Sequence, residues 1–371
     1  MSEASTFAVV TGGGTAGHVV PALAVADALV AAGTDPTAIH YVGCTRGIET
    51  ELLPATPYGH TFYDVVGFQR TLRRARTNAA FVPKLLRARR HAVRLLQRLQ
   101  PSVVVSVGGY ASLPAVLAAR LVRIPVVVVS YDLRPGRASQ VAARRAAACA
   151  VAFPDSPLPR AEFTGAPVRQ AILDVDRARD RHAARAALGL PADRFVLAVM
   201  GGSLGSGPLN SAVAALLDAA QGDTALAVRH AVGKRFVDGA RPATDGSSGV
   251  LYQPVGYEPD MHLVYAAADL LVGRGGASTV HEVAVTGIPA VLVPWAGAAE
   301  DHQTANVRWL SDQDAAVFLA EADLASLASV VAGLRADPER LARLARAAHG
   351  LGEAHRSGRL AALIRRVAAG S

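Results

Sequence analysis

The stretch TGGGTAGHVVPALAVADALV, residues 11–30, decides the fold because it joins a strand to a helix through a glycine-rich turn. The apolar run FAVV precedes it, and an amphipathic run follows. Pro21 is predicted in the first turn of that helix and Gly33 at its end. A strand, a glycine turn and a helix in this order are typical of the first βα unit of a ligand-binding α/β domain.

The same strand-and-helix alternation continues along most of the chain. The candidate strands are continuously apolar, as expected of parallel strands that helices cover on both faces. They are FAVVTG, IHYVG, VVVSVGG, PVVVVS, CAVAF, FVLAVMGG, ALAVRHAVG, VLYQPVG, LLVGRGG and AVLVPW. The sequence therefore predicts an α/β fold built on parallel sheets.

The length and a break near TGAPVRQ, residues 164–170, predict two Rossmann-like domains that face a cleft. The first is expected to span residues 1–165 and the second residues 166–352. An amphipathic run at residues 353–369 predicts one terminal helix that returns to the first domain, so that residues 353–371 belong with it. Ligands of such folds bind beyond the carboxyl ends of the strands, where the glycine turns lie.

Composition excludes several classes of protein. A chain that is 51% hydrophobic and 18% charged is too apolar to be disordered. The two cysteines, Cys44 and Cys149, are too few for a disulfide framework. We interpret both as reduced thiols that pack in the interior. The N-terminus lacks a basic leader, and no apolar run reaches the roughly 18 residues of a membrane span, so we expect neither export nor a transmembrane segment.

The net charge of +8 is concentrated in one segment, because no acidic residue occurs between Asp64 and Asp132. Apolar residues interleave with the basic ones, which are Arg70, Arg73, Arg74, Arg76, Lys84, Arg87, Arg89, Arg90, Arg94 and Arg98. We interpret residues 68–98 as a surface for the anionic inner leaflet of the membrane. The alternative is an amphipathic core helix with a solvated basic face. With only 5% aromatic residues, the chain is not expected to bind nucleic acid.

Gly12, Gly14 and Gly17 also match the dinucleotide pattern G-x-G-x-x-G, which raises an NADP-dependent oxidoreductase as a rival. That class requires an Asp or Glu after the second strand to hold the ribose. Residues 42–46 contain none, although Arg46 could meet a 2′-phosphate. The pattern is therefore weak evidence for an oxidoreductase.

The second half of the chain carries two further glycine turns, at residues 201–206 and 275–279. Bare amides at a helix start suit a diphosphate without a cation, although tight βα turns use glycine anyway. Glu282 lies one helical turn beyond Ser278, so a carboxylate could chelate ribose hydroxyls there. Side chains of the polar run at residues 300–306 could recognise the hydroxyls of a sugar through hydrogen bonds, or the run could simply start a helix.

We predict no metal and no cofactor. The D-x-D sequence at residues 174–176 lies in a charged, solvated stretch, and Lys234 lacks the upstream glycine of a P-loop. Arg169 could neutralise a diphosphate in place of a metal, or form a structural salt bridge.

Seven motifs together resemble one family, the peripheral membrane glycosyltransferases that join N-acetylglucosamine to lipid I and so form lipid II for bacterial peptidoglycan. They follow the order of that family across essentially the whole chain: GGGTAGHVVPALAVA, GCTRGIETELLP, SVGGYASLPAVLAA, GAPVR, GGSLGS, RGGASTVHEVAVTGIPAVLVP and EDHQTAN. The resemblance implies a GT-B fold and a metal-independent, inverting transfer from UDP-N-acetylglucosamine to the 4-hydroxyl of the muramoyl sugar. It also implies a location on the cytoplasmic face of the membrane.

The resemblance also implies which residues bind each substrate. Residues matching donor-binding positions in the C-terminal domain are Arg169, Ser203, Glu282 and Gln303, to which the helix-start argument adds Ser278. The loop facing the donor sugar and acceptor diphosphate contains Thr15, Ala16 and Gly17. Acceptor-side positions are Gly108, Gly109 and Tyr110. His18, at the mouth of the first helix, is the candidate general base, because an imidazole with a pKa near ~6.5 is largely neutral at pH 7.

One segment departs from the family. After the strand IPVVVV the family has His-Glu-x-Asn, whereas this chain has Val129, Ser130, Tyr131 and Asp132. Asp132 then stands at the acceptor-side asparagine position, and the case for a base rests on His18. Two further alternatives follow: a related transferase with another lipid-linked acceptor, and a non-catalytic homologue that binds lipid or nucleotide sugar.

Overall fold

The computed structural model describes residues 6–65, 81–202, 204–298 and 301–370. The chain divides into two compact units, one formed by Met1–Gln170 with Ala354–Ser371 and the other by Ala171–Glu353. Over the residues described, each unit is built around a seven-stranded sheet. Two largely parallel sheets in an α/β chain confirm the predicted fold class.

Unit 1, Met1–Gln170 with Ala354–Ser371, has an entirely parallel sheet in the order β3-β2-β1-β4-β5-β6-β7. Its strands are β1 (Ala8–Thr11), β2 (Ile39–Cys44), β3 (Gly59–Tyr63), β4 (Val103–Ser106), β5 (Val126–Ser130), β6 (Ala148–Val151) and β7 (Ala161–Phe163). Its first helices are α1 (Ala16–Ala31), α2 (Glu49–Leu52), α3 (Phe81–Leu99), α4 (Leu113–Leu121) and α5 (Arg137–Ala143). Thr11 is in register with Val42 of β2 and Ser106 of β4, so the turns that follow these strands emerge at one edge.

Unit 2, Ala171–Glu353, has the strand order β10-β11-β9-β8-β12-β13-β14, and its β10–β11 pair is antiparallel. Its strands are β8 (Phe195–Met200), β9 (Leu226–Ala231), β10 (Thr244–Asp245), β11 (Leu251–Val255), β12 (Leu270–Arg274), β13 (Ala290–Val293) and β14 (Val317–Phe318). Its helices are α6 (Gln170–Leu173, which begins at the boundary), α7 (Arg177–Ala187), α8 (Gly207–Ala219), α9 (Met261–Ala267), α10 (Ala277–Thr286), α11 (His302–Ser311), α12 (Leu327–Arg335) and α13 (Pro338–Leu351).

Arginines of α7 fix that helix against the start of β12. Arg185 is almost fully buried; it donates to the carbonyl of Ala267 and, at 2.8 Å, to Asp269. Asp269 also accepts the amide of Val196 at 2.7 Å, so one carboxylate joins the helix to two neighbouring strands. Asp176, in the D-x-D sequence, caps α7 by accepting the amides of Ala178 and Arg179.

The chain ends in two helices, α14 (Glu353–Arg356) and α15 (Arg359–Ala369). The prediction of one continuous helix is therefore wrong, because Gly358 adopts a left-handed φ of +71° that interrupts it. The second helix contacts α1 and β4 of unit 1, and Arg366 donates to Glu162 at 2.6 Å.

A second correction concerns the first helix. Pro21 is the sixth residue of α1 and lies inside it, not in its first turn. A proline there has no N–H to donate to the carbonyl of Gly17, one turn earlier, so that carbonyl is open to another donor.

The basic segment falls partly outside the described residues, which resume at residue 81. Ala88, Ala92, Leu95 and Leu96 on α3 are buried in the core of unit 1. The opposite face is basic and exposed, and it carries Arg87, Arg90, Arg94 and Arg98. The described helix thus packs its apolar face into the core of unit 1 and exposes a basic face, which both interpretations of this segment allow.

Candidate functional sites at the carboxyl edges of the two sheets

The first glycine turn holds its backbone directly against a second turn of unit 1. A Cβ on Gly14 would lie 2.5 Å from Cε1 of Tyr110, and Gly14 has a φ of +91°, so only glycine fits. A Cβ on Gly109 would lie 2.5 Å from the carbonyl oxygen of Gly13. The turns after β1 and β4 are therefore in close contact, as the shared register of the two strands requires.

His18 lies at this junction, in the first turn of α1. Its Nδ1 is 3.0 Å from the hydroxyl oxygen of Thr15, which precedes the helix as its N-cap. A Cβ on Gly109 would approach Cγ of His18 to 3.3 Å, and one on Gly108 would approach Cδ2 to 3.4 Å. Gly108 and Gly109, two of the predicted acceptor-side residues, thus leave the space that the imidazole occupies.

A cavity of about 210 Å³ opens beside His18. Tyr131 and Asp132 line it together with Gly109 and His18; the other lining residues are Val107, Val129, Ser130, Gly136, Arg137, Ala138 and Ser139. The Tyr131 hydroxyl donates to the carbonyl of Gly17, the same carbonyl that Pro21 leaves without a helical donor. The segment that departs from the family is thus built into the wall around the imidazole.

Burial lowers the pKa of His18 below the ordinary value of 6.5, and the nearby carboxylates of Asp132 and Glu49 oppose that effect. Because burial is the largest cause, the imidazole is neutral at pH 7 and can accept a proton. The sequence did not predict the contribution of Glu49, which reaches this site from the start of α2.

Arg169 also belongs to unit 1 and is half-buried. Its charge lowers the pKa of Asp27, although burial, the larger effect, raises it. The same carboxylate accepts the hydroxyl of Tyr58 at 2.5 Å. Arg169 therefore interacts electrostatically with a carboxylate of unit 1. Its assignment to binding of the donor stays a prediction.

In unit 2, the glycine turn after β8 approaches the backbone of a neighbouring turn. A Cβ on Gly205, which has a φ of +69°, would lie 2.2 Å from the carbonyl oxygen of Val232. Ser206 caps α8, accepting the amide of Leu209 at 3.3 Å. Ser203, the predicted donor-binding residue of this turn, lies outside the described residues.

Arg274 ends β12 and joins three loops of unit 2. Its guanidinium donates to the hydroxyl of Ser206 and, at 2.6 Å, to the carboxylate of Glu321. Glu321 also accepts the amide of Ala296 at 2.9 Å. Sequence reasoning missed Arg274, although a charged residue that ends a buried run, in LLVGR, was a signal for it.

A cavity of about 420 Å³ lies between these loops. Gln303, a predicted donor-binding residue, lines it, and its side-chain oxygen accepts the amide of Trp295 at 2.9 Å. The remaining lining residues are Gly201, Gly202, Leu204, Gly205, Ser206, Gly207, Pro208, Arg235, Arg274, Gly276, Thr279, Trp295 and Glu321. Two glycine turns therefore converge with Gln303 on one space in unit 2.

Ser278 and Glu282 are not among the residues that line this cavity. Both lie on α10, which begins just after Gly276. Glu282 is buried, and its Oε2 accepts the hydroxyl of Tyr265 at 2.7 Å. Their assignment to the ribose and phosphate of a donor stays a prediction. No group of three or more His, Cys, Asp and Glu side chains able to hold a metal ion occurs in the described ranges.

Comparison with known proteins places these units in one class. The N-terminal domain of glycosyltransferase family 28 matches residues 8–151, and the C-terminal domain of that family matches residues 196–359. A crystal structure of Acinetobacter baumannii MurG, 28% identical, superposes with a TM-score of 0.74 and covers 97% of this chain and 99% of that chain. A UDP complex of Arabidopsis thaliana UGT89C1, 14% identical with a TM-score of 0.68, shares the fold alone. The fold and these matches define a glycosyltransferase.

Curated relatives are similar over almost the whole chain. One from Nocardioides sp. is 40% identical over 366 residues, which is 98% of each chain. One from Mycobacterium tuberculosis is 40% identical over 385 residues, covering 100% of this chain and 91% of its own. Both are named UDP-N-acetylglucosamine--N-acetylmuramyl-(pentapeptide) pyrophosphoryl-undecaprenol N-acetylglucosamine transferase. The chain belongs to glycosyltransferase family 28.

The Arg274–Glu321 pair yields a prediction for unit 2. Its side chains are only 9% and 16% exposed, so Arg274→Ala leaves a partly buried carboxylate without its cation. We expect a loss of about 3 kcal/mol of unfolding free energy. Both tryptophans of the chain, Trp295 and Trp309, lie in unit 2, so urea unfolding followed by their fluorescence reports on this unit.

The matched control is Arg343→Ala, which removes an arginine from an exposed 4.0 Å pair with Glu339 in the same unit. That substitution should change the unfolding free energy by less than about 1 kcal/mol. Equal losses in the two variants would contradict a structural role for the Arg274 pair.

Proposed function

We propose that this chain transfers N-acetylglucosamine from UDP-N-acetylglucosamine to the 4-hydroxyl of the N-acetylmuramoyl group of lipid I, with inversion, to form lipid II. The observation that carries the proposal is the position of His18, which the first turn of α1 holds between two glycine turns and whose pKa is lowered by burial. The names of the relatives that are 40% identical over nearly the whole chain support the same donor and acceptor.

Inversion requires one displacement at the anomeric carbon. The acceptor oxygen forms a bond to C1 while the bond from C1 to the UDP oxygen breaks, and the hydroxyl proton passes to His18. For Nε2 to receive that proton, Nδ1 must carry the other one and donate it to the Thr15 hydroxyl oxygen 3.0 Å away. The Thr15 hydroxyl can accept that hydrogen bond, so its position is compatible with the reactive tautomer.

UDP leaves as a diphosphate, so the enzyme must stabilise growing negative charge on it. In unit 2 the starts of α8 and α10 follow glycine turns, whose amides and helix dipoles favour an anion. Arg274 borders the same cavity, but Glu321 offsets its charge. We therefore assign stabilisation of the leaving group chiefly to backbone amides.

The remaining substrate contacts follow the matched positions. We propose that the donor contacts Thr15, Ala16, Gly17, Arg169, Ser203, Ser278, Glu282 and Gln303, and that the acceptor contacts Gly108, Gly109, Tyr110 and Asp132. Gln303 is favoured as a residue that recognises the donor, because the hydrogen bond that its side chain accepts from the Trp295 amide fixes that side chain at the cavity.

The proposal predicts that the purified protein converts UDP-N-acetylglucosamine and a lipid I analogue into a β-linked disaccharide product. The reaction should proceed in excess chelator, because amides rather than a cation are assigned to the diphosphate. Mass spectrometry and NMR of the product would establish mass and anomeric configuration.

UDP-glucose and UDP-N-acetylgalactosamine serve as control donors and should give at most a small fraction of that turnover. An α-linked product would contradict a single displacement. Transfer to another lipid-linked sugar but not to the lipid I analogue would favour the related transferase, and binding of both substrates without turnover would favour the non-catalytic homologue.

His18→Ala should lower kcat by roughly 10²- to 10⁴-fold, because a general base contributes about that much to the rate. The KM for the donor should change little, since the assigned action of His18 is on the acceptor hydroxyl. In the unmodified protein, kcat should fall as pH decreases only below the ordinary pKa of 6.5, because burial lowers the pKa of His18.

His60→Ala is the matched control, since this exposed histidine lies in the same unit on β3. It should keep kcat within about twofold and retain the pH profile. Turnover of His18→Ala within a few-fold of the unmodified rate would mean that another group removes the proton.

We further propose that the basic face of α3 rests on the anionic cytoplasmic leaflet, which would place the enzyme beside its lipid-linked acceptor. Arg87, Arg90, Arg94 and Arg98 are exposed along one side of the helix, and its apolar side packs into unit 1. Within the described residues, no helix is both long and apolar enough to cross a membrane.

Replacing Arg87, Arg90 and Arg94 together with glutamine should weaken co-sedimentation with phosphatidylglycerol-rich vesicles by roughly 100-fold, at about 1 kcal/mol for each basic group. Added salt should release the unmodified protein. The control removes the same charge from exposed positions of α13, by replacing Arg340, Arg343 and Arg346 with glutamine. Equal weakening in both triple variants would indicate a general effect of net charge.

A further inference from the structure

The segment GCTRGIETELLP carries part of the family resemblance but has no function in the mechanism above. The first of its two glutamates, Glu49, begins α2 and is completely buried. Oε1 accepts the amide of Gly14 at 3.1 Å, and the amide and thiol of Cys44, each at 3.0 Å. The carboxylate thus joins the first glycine turn to the end of β2.

Three glycines leave the space that this carboxylate fills. A Cβ on Gly47 would lie 1.8 Å from Oε2, and one on Gly13 would lie 2.4 Å from Oε1. On Gly43 a Cβ would lie 3.1 Å from Cγ of the same side chain. Glycines of two different turns therefore surround one acidic side chain.

No ion pair found over the described residues involves Glu49. Its nearest basic neighbour in sequence, Arg46, pairs instead with Asp64 at 3.5 Å. Oε2 of Glu49 is buried and has no hydrogen-bond partner among the described atoms. A buried carboxylate without a cation is costly to fold, so its charge is a candidate for a functional role.

The titratable groups around Glu49 indicate where that charge acts. Its charge acts on Tyr41, Cys44 and Tyr110, for which burial is the main cause of a raised pKa, so all three stay neutral. It also acts on His18, which lines a cavity together with Asp132 and Arg137. Of the four, only His18 gains a positive charge when it takes up a proton.

We propose that Glu49 is a positioning residue of the transferase: it holds the glycine turn through the Gly14 amide, and its negative charge stabilises the imidazolium that His18 becomes during transfer. The inference rests on the proposed function, in which His18 is the general base. Glu49 lies outside both cavities, and its fixed negative charge balances the proton that His18 takes from the acceptor.

The test is Glu49→Gln in the full-length protein, which keeps the shape and an acceptor oxygen but removes the charge. The pKa of His18 should fall further, so the acid limb of the kcat profile should move to lower pH by roughly half a unit or more. The plateau kcat should fall about tenfold or more, because the base is weaker and the turn less firmly held, while the donor KM stays within about twofold.

Glu51→Gln is the matched control, because this exposed glutamate lies on the same helix and loses the same charge. It should leave both the pH profile and kcat unchanged. An equal shift of the acid limb in both variants, or no shift in either, would overturn the inference.

A second readout does not depend on turnover. NMR titration of ¹³C-labelled histidines, with the His18 signal assigned by its loss in His18→Ala, should give a lower His18 pKa in Glu49→Gln than in the unmodified protein. If the protein proves inactive but this shift occurs, the coupling stands and the proposed reaction fails; an unchanged His18 titration in folded Glu49→Gln would overturn the coupling.

Should Glu49→Gln not fold, Gly47→Ala provides the alternative, because the added Cβ displaces the carboxylate while keeping its charge in the chain. Gly47→Ala should lower kcat, as Glu49→Gln does, and it should change the pKa of His18. Gly350→Ala, where a Cβ meets nothing within 4 Å, is its control. Unmodified kcat and His18 titration in folded Gly47→Ala would contradict the proposal.

Discussion

Burial of each parallel sheet on both faces is the constraint from which the rest of the structure follows. Every residue of β1, β4 and β6 is buried, as is every residue of β12 and β13 in unit 2. Strands of this kind have no solvent face for polar chemistry, so functional groups are confined to the turns at their carboxyl ends. The parallel register then brings those turns to one edge, where glycine permits backbone to meet backbone.

That constraint also explains which strands the sequence could predict. The central strands are continuous apolar runs, and each of those predicted is present. The four that were missed are β3, β7, β10 and β14, the outermost strands of the two sheets. In β3 only the last of five residues is buried, in β7 two of the three residues are exposed, and β10 and β14 have two residues each, so none has an apolar run long enough to be recognised.

Candidate site residues could be proposed from the sequence where a short motif marks them. His18 and Tyr110 adjoin glycine turns and Gln303 lies in the polar run at residues 300–306; the structure places His18 and Gln303 beside cavities, and their functional roles stay predictions. Glu49 and Glu321 act on turns that they do not adjoin in sequence: Glu49 binds Gly14, 35 residues away, and Glu321 binds Arg274, 47 residues away. No short-range sequence pattern predicts such a carboxylate, because the packing of separate loops determines which group it contacts.

The departure at residues 129–132 shows how one of these distant contacts is accommodated. Pro21 cannot donate to the Gly17 carbonyl, so that oxygen is available to a donor from outside the helix. Tyr131 supplies it from a segment 114 residues away and thereby fixes the chain that carries Asp132 beside His18. Asp132 and Glu49 then act on the imidazole together, yet burial outweighs them. The imidazole is therefore neutral, and two carboxylates would stabilise its protonated form; the altered segment thus places an acidic group beside His18, the proposed general base.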